Sequence, residues 1–205
     1  MRGKSKRTAP RASILRTTAV PLSFPARKAK RRGTTRSHQR VVAKAASQDL
    51  DLAFAMQYQQ QTNWCWAAVS TSTALYYGAA SPWTQCSLAN AQLGQSGCCT
   101  DGSTSACNQA WYLDRALTQV GHFQSWQRSA ATFAQVQAAI GASQPIGVRI
   151  GWSSGGHFVA IRGYHAVQQT LDVEDPWYGP SQVTYSTFCS SYLGAGTWTD
   201  SYFTQ

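Results

Sequence analysis

No acidic residue precedes Asp49: all 8 Asp+Glu follow it, while 14 of the 18 Lys+Arg come before it. With histidine neutral, residues 1–48 therefore carry +14 and the remaining body −4. The overall charge of +10, which would ordinarily suggest nucleic acid, describes the head alone. The mildly acidic body requires no nucleic acid. The head also lacks a sustained apolar run. "SILRTTAVPLSF" is interrupted by Arg16 and two threonines, so it does not supply the stretch of about 7–15 apolar residues that a secretory signal needs. "AKA" at 43–45 has the small-x-small form of a cleavage site, with nothing hydrophobic ahead of it. No stretch approaches the ~18 apolar residues of a membrane span. A segment so charged cannot bury enough surface to offset its ordering entropy. Residues 1–48 are expected to be a disordered basic head: a solvated tail, a targeting or pro-segment, or an over-long start.

The body, residues 49–205, lacks C-x-x-C pairs, internal repeats and a phosphate-binding glycine loop. "GWSSGG" at 151–156 precedes a strand-like run instead of opening a helix. No metal and no organic cofactor is expected. Six cysteines are present: Cys65, Cys86, Cys98, Cys99, Cys107 and Cys189. Four of them crowd into 86–107, a Gly/Ser/Asn-rich region where a loop is expected. That density favours disulfides and an oxidising destination over zinc. Adjacent Cys98 and Cys99 are expected to take different partners, Cys86 and Cys107 being nearest, and the pairing stays open. If Cys65 is kept as a thiol, two bridges and one spare cysteine remain.

Periodicity divides the body into helices followed by strands. Asn63 is placed to cap a helix through Tyr77, with Gly78 as its stop. Pro82 to Gly102 reads as the cysteine-bearing excursion. Leu113, Ala116, Leu117 and Val120 share a helical face that ends at Gly121. Thr132 and Gln135 have capping-box spacing ahead of Phe133, Val136 and Ile140. The period then becomes extended over 145–152, 157–164, 170–175, 181–188 and 196–203. Helices first and strands afterwards indicate an α+β domain.

"QQQTNWCWAAVSTS" sets Cys65 in the predicted first turn of a helix, where unpaired N–H groups and the helix dipole favour a thiolate. In "GGHFVAIRGY", alternation puts His157, Val159 and Ile161 on one strand face, with His157 at the mouth after a glycine pair. His38 falls in the head, His122 follows a helix end and His165 lies at the far end of the strand. A catalytic imidazole also needs an acceptor that fixes its tautomer. Asp175 ends the next strand, 18 residues after His157, and a turn near 163–169 would return it to that histidine. Glu174 is expected on the opposite face.

These three segments, with "EDPWYG" as the third, resemble the active-site segments of papain-like cysteine proteases. Asn-Trp-Cys-Trp-Ala-Ala is most similar to the bacterial avirulence-effector branch, and the resemblance spans roughly 54–203. It implies a papain-like α+β fold, with the nucleophile helix packed on a C-terminal antiparallel sheet. It also implies Cys65 as nucleophile, His157 as general base and then acid, and Asp175 as orienting group. An upstream glutamine donates to the oxyanion, Gln59 being preferred over Gln60 and Gln61, and Trp177 shields the His–Asp contact. The chain departs from papain in two respects. Cys65 and His157 are 92 residues apart, against ~130–150 in papain and the cathepsins, which indicates a trimmed fold. Asp stands where papain has Asn.

The expected activity is peptide-bond hydrolysis through a thioester acyl-enzyme, by a monomer acting on a protein or peptide substrate. A deamidase, transglutaminase-like enzyme or acyltransferase would use the same thioester. A non-enzymatic, disulfide-rich binding module would have Cys65 bridged. Cysteine density and the effector-like resemblance imply a secreted or delivered protein.

Overall fold

The structure, a computed structural model, describes residues 48–205. The expected basic head lies outside the described residues, apart from Gln48. Seven strands form one antiparallel sheet: β1 (Leu50–Asp51), β2 (Phe123–Gln127), β3 (Ile146–Trp152), β4 (Gly155–His165), β5 (Thr170–Asp175), β6 (Gly179–Thr184) and β7 (Thr197–Thr204). Their spatial order is β2-β7-β3-β4-β5-β6, with the short β1 paired to the end of β4. Five helices cover it: α1 (Cys65–Tyr77), α2 (Gln85–Leu93), α3 (Leu113–Gln119), α4 (Phe133–Gly141) and α5 (Tyr185–Ser190).

Both faces of the sheet are buried, in two apolar clusters. Trp64, Trp66, Val69, Leu88, Leu113 and Leu117, from α1 to α3 and the approach to them, meet Phe158 and Tyr202 of the sheet. Val136 and Ile140 of α4 and Phe188 of α5 meet Val148, Ile150, Val159, Ile161 and Trp198. Helices on two sides explain why Phe158 to Ile161 are all buried although neighbouring side chains on a strand point apart.

α1 is buried on every side from Cys65 to Ala74, which its small residues make possible. Its hydroxyls are largely satisfied locally: Thr71 donates to the Ala67 carbonyl (2.9 Å), Thr73 to that of Val69 (2.8 Å), and Ser72 accepts from the Gln57 N–H (2.9 Å). The expected Asn63 cap is not formed. Trp64 occupies the cap position without a side-chain bond, because Asn63 is turned to Asn108, giving its side-chain N–H to the Asn108 carbonyl (2.8 Å).

Three other expectations need correction. The cysteine-bearing excursion contains α2, opened by a Thr84/Ser87 capping box and closed by Gly94 at φ +65°. The run 181–188 changes state midway, β6 ending at Thr184, which then caps α5 through the Thr187 N–H. The edge strand β2 was not expected; it pairs with β7. The expected Thr132–Gln135 capping box is present in full.

Candidate active site

Cys65 is the first residue of α1, 8% exposed and free of any disulfide. The two tryptophans around it explain much of this segment's composition. Trp64 Nε1 donates to the Cys107 carbonyl (2.7 Å) and Trp66 Nε1 to that of Gln109 (3.0 Å). The Asn63 N–H reaches Asn108 Oδ1 (2.9 Å), and Asn108 Nδ2 reaches Thr62 Oγ1 (2.8 Å). The start of the helix is thus gripped by a single loop, which is itself closed by Cys98–Cys107 and adjoined by Cys86–Cys99. Gly102 in that loop has no room for a side chain, since a Cβ would lie 2.7 Å from the Trp64 ring. Disulfides that close loops of this size typically contribute about 2–4 kcal/mol. Four cysteines are therefore staples, and Cys65 and Cys189 are thiols.

β4 and β5 run antiparallel, as expected, and bring the next two groups together. His157 Nε2 lies 2.8 Å from Asp175 Oδ1, in a pair whose side chains are 17% and 0% exposed. Asp175 Oδ1 also accepts from the main-chain N–H groups of Trp177 (2.8 Å) and Tyr178 (3.0 Å), and Oδ2 accepts from the Tyr192 hydroxyl (3.0 Å). Burial works against ionising this carboxyl, yet the His157 bond and charge and the two N–H groups hold it below the usual range. Tyr192 is driven the other way, its phenol pushed well up by burial and the Asp175 charge. Glu174 points to the opposite face, 2.9 Å from Arg162.

His157 is coupled to both neighbours. Burial would lower its pKa, but hydrogen bonds to Asp175 and Cys65, with their charges, raise it from 6.5 to about 9. Since Nε2 is taken by Asp175, Nδ1 is the nitrogen left for the sulfur. Such an environment favours the protonated ring.

Beside His157 opens a cavity of about 520 Å³ lined by Gln59, Trp152, Trp177, Tyr178 and Leu193 among others. Gln59 is anchored through its own N–H to the Pro176 carbonyl (2.9 Å). Its amide Nε2 donates to the carbonyls of Gln61 (2.8 Å) and Thr62 (2.9 Å), and its Oε1 is buried with no partner among the described residues. Gln60 is exposed, and Gln61 lies against Gly102 in the disulfide loop. Of the three glutamines only Gln59 lines this cavity. Trp177, expected as a shield, is 49% exposed and lines the cavity while its N–H binds Asp175.

The other described histidines are elsewhere, and His38 lies outside the described residues. His122 stacks on Tyr77 with centroids 4.6 Å apart, and His165 sits between Asp49 and Asp172. Tyr192 had no signal in the sequence; the grip on Trp64 and Trp66 had one, since buried indoles need acceptors. Among the described residues no cluster of His, Cys, Asp and Glu could hold a metal ion, and no helix is long and apolar enough to cross a membrane.

Among the solved structures to which the chain is similar are two peptidase domains. One is the peptidase domain of Streptococcus ComA, a bi-functional ABC transporter involved in a quorum-sensing pathway. It is 16% identical over 74% of this chain and 97% of that one, with a TM-score of 0.49. The other is a double glycine motif protease from an AMS/PCAT transporter in complex with the leader peptide, 15% identical over 77% and 99%, with a TM-score of 0.43. No curated protein matches the chain. The assignment is carried instead by the Peptidase_C39-like family, which matches residues 51–202, nearly the whole described body. The chain belongs to the Peptidase_C39-like family and is a cysteine peptidase, a hydrolase.

Proposed function

We propose that this peptidase hydrolyses peptide bonds with Cys65 as nucleophile, His157 as general base and acid, and Asp175 as the group that orients the imidazole. The observation that carries the reading is the coupling of one largely buried ring to two partners, Asp175 at 2.8 Å and the Cys65 thiol. The Cys65 thiolate attacks the substrate carbonyl, and His157, protonated at Nδ1, gives its proton to the leaving amine. A thioester remains. Water then attacks it, losing its proton to His157, and the acid product leaves with Cys65 regenerated. Asp175 keeps Nε2 bonded throughout, so that Nδ1 stays turned to the sulfur.

The oxyanion is assigned to the Cys65 main-chain N–H and the Gln59 side chain. For the second donor, Gln59 exchanges one of its bonds to the Gln61 and Thr62 carbonyls for the oxyanion. One such donor is typically worth about 2.7–4 kcal/mol, so Gln59→Ala should lower kcat by about 10²–10³-fold with little change in KM. The substrate is a protein or peptide. Two disulfides suit an oxidising compartment, and the Asn63-Trp64-Cys65-Trp66 opening is the support for delivery outside the producing cell.

Mapping an iodoacetamide-type label on native protein, alongside peptide hydrolysis by Cys65→Ala, tests the assignment. Labelling at Cys65 in preference to Cys189, with turnover lost in the variant, is the expected result. Hydrolysis persisting in Cys65→Ala would remove it.

A further inference from the structure

The reading above leaves a second cavity unused. It is about 540 Å³ in volume, and its walls include Trp111, Tyr112, Trp126, Phe158 and Tyr202. Gly156 and Phe158, the neighbours of His157 in the chain, both line it. It therefore opens one residue away from the site, across β4 from the Gln59 cavity.

Cations are scarce in the body. Beyond residue 48 the chain has no lysine and four arginines: Arg115, Arg128, Arg149 and Arg162. Arg162 is matched by Asp51 and Glu174, each at 2.9 Å. Of the other three, one lines this cavity and two stack on rings that line it. The Arg115 guanidinium lies 4.6 Å from the Tyr112 ring centroid and 5.8 Å from that of Trp111, and Arg128 lies 4.6 Å from that of Trp126. Arg149 lines the cavity itself.

Arg149 stands directly opposite Asp200 in the β3–β7 ladder, where opposite charges ordinarily pair. They do not pair here. Asp200 Oδ1 accepts from Trp126 Nε1 (3.0 Å), Arg149 donates to Thr199 Oγ1 (3.0 Å), and Arg149 makes no ion pair among the described residues. Its guanidinium instead lies against β4 at Gly156, where a Cβ would come within 2.5–2.7 Å of it. The glycine before His157 thus admits a half-buried guanidinium next to the catalytic strand. That fork has five N–H donors and suits a carboxylate in two-point contact. Asp114 and Asp200 also line the cavity. Asp200 is held by the indole, and Asp114 is adjacent in the chain to Arg115.

We propose that this cavity is a substrate subsite for an acidic side chain, in which Arg149 takes the carboxylate of an Asp or Glu and the aromatic walls take its stem. This rests on the Cys65–His157 reading of the site. The test is cleavage profiling of a proteome-derived peptide library by the wild type, Arg149→Met, Asp200→Asn and Cys65→Ala. Kinetics then follow on a synthetic peptide pair, taken from a well-cut sequence, that differs only by Glu against Gln. The wild type should enrich Asp/Glu at one fixed position from the cut and favour the Glu peptide by about tenfold in kcat/KM, the scale of a charge-assisted bond. Arg149→Met should bring that ratio towards one. Asp200→Asn, which keeps an acceptor for Trp126 and removes a competing charge, should raise it. An enrichment for aromatic or aliphatic residues alone, or a ratio unaltered in Arg149→Met, overturns the proposal. Should Arg149→Met fail to fold, an unaltered ratio in Asp200→Asn overturns it equally. Cleavage without acidic enrichment defeats the subsite alone, whereas a library cut equally well by Cys65→Ala defeats the site reading beneath it.

Discussion

β4 carries two histidines, eight residues apart, and each is bonded to carboxylate. At one end His157 meets Asp175 at 2.8 Å; at the other His165 lies 3.2 Å from Asp49 and 3.1 Å from Asp172. Counted by partners, His165 is the better supplied, and both rings are pushed above the ordinary histidine value. Their surroundings separate them. The His157–Asp175 pair is largely buried, with Tyr192 and two main-chain N–H groups closing the carboxylate and the Cys65 thiol acting on the same ring. The His165 group is open, with side chains 29%, 48% and 15% exposed. Asp49 there also accepts the Ala166 N–H (2.8 Å), so the cluster fastens the start of the body to the end of β4. A histidine–carboxylate contact is a structural link until water is excluded and a reactive third group faces the ring.

The sharpest contrast is in turnover. His157→Ala should lower kcat/KM by about 10⁴-fold or more, as removal of a triad base typically does, while His165→Ala should leave it near the wild-type value. Comparable losses in peptide hydrolysis would erase the distinction. Next come the carboxylates. Asp175→Ala should cost on the order of 10⁴-fold in kcat. Asp175→Asn, which keeps an acceptor for Nε2, should cost less and move the alkaline limb of the pH–rate profile to lower pH. Asp172→Asn should do neither.

Stability comes third. Asp175→Ala strands the Tyr192 hydroxyl and two N–H groups in a buried place, worth about 3 kcal/mol in denaturant unfolding; Asp172→Ala should cost about 1 kcal/mol or less. A larger loss at Asp172 would reverse the comparison.

The smallest effect is in pH dependence. The folded-state pKa of His157, about 9, lies above its unfolded value of 6.5. Its stabilising contribution is therefore complete below pH 6.5 and is lost as pH rises through about 9. Asp175, held low, contributes above its unfolded value of 3.8 and loses that contribution as pH falls through its depressed pKa. His165 has the same sign as His157, but its exposed ion pairs should fade in salt. Melting temperatures from pH 6 to 10, at low and high salt, for the wild type, His157→Gln and His165→Gln would show this. The His157 contribution should persist in salt. Identical slopes in the wild type and His157→Gln would contradict the assigned shift.

Much of this was legible along the chain. The thiol at a helix start, the histidine opening a strand and the aspartate closing the next one stand in the expected order. Strong local signals also held, such as the Thr132–Gln135 box and the extended runs in β3, β4 and β5. What escaped lay where local signals are weak or divided. α2, "QCSLANAQL", mixes small and polar residues with only two leucines and was concealed by the surrounding loop composition, although the Thr84/Ser87 box and Gly94 marked its ends. β2, "FQSWQ", is a polar edge strand that exists by pairing with β7. α5, "YSTFCS", has strand-like residues and becomes a helix where Thr184 caps it and Phe188 enters the core beside Trp198. Asn63 looked like a cap until Asn108 offered a better set of partners.

By itself the chain determined which groups are available and in what order: one thiol at a helix start, then a histidine, then acids one strand later. Alternation and resemblance favoured Asp175 over Glu174 and Gln59 over Gln60 and Gln61, but they could not make the contacts. The register of β4 on β5, with its shift between Ile161 and Gly163, sets Asp175 and not Glu174 beside His157, because a strand slipped by one residue turns every side chain to the other face. The pairing of Cys86 with Cys99 and Cys98 with Cys107, and Gln59 as the cavity glutamine, were likewise decided in three dimensions. Each depends on distance and direction between segments far apart in the chain, and these exist only once the sheet has formed and α1 is held against it.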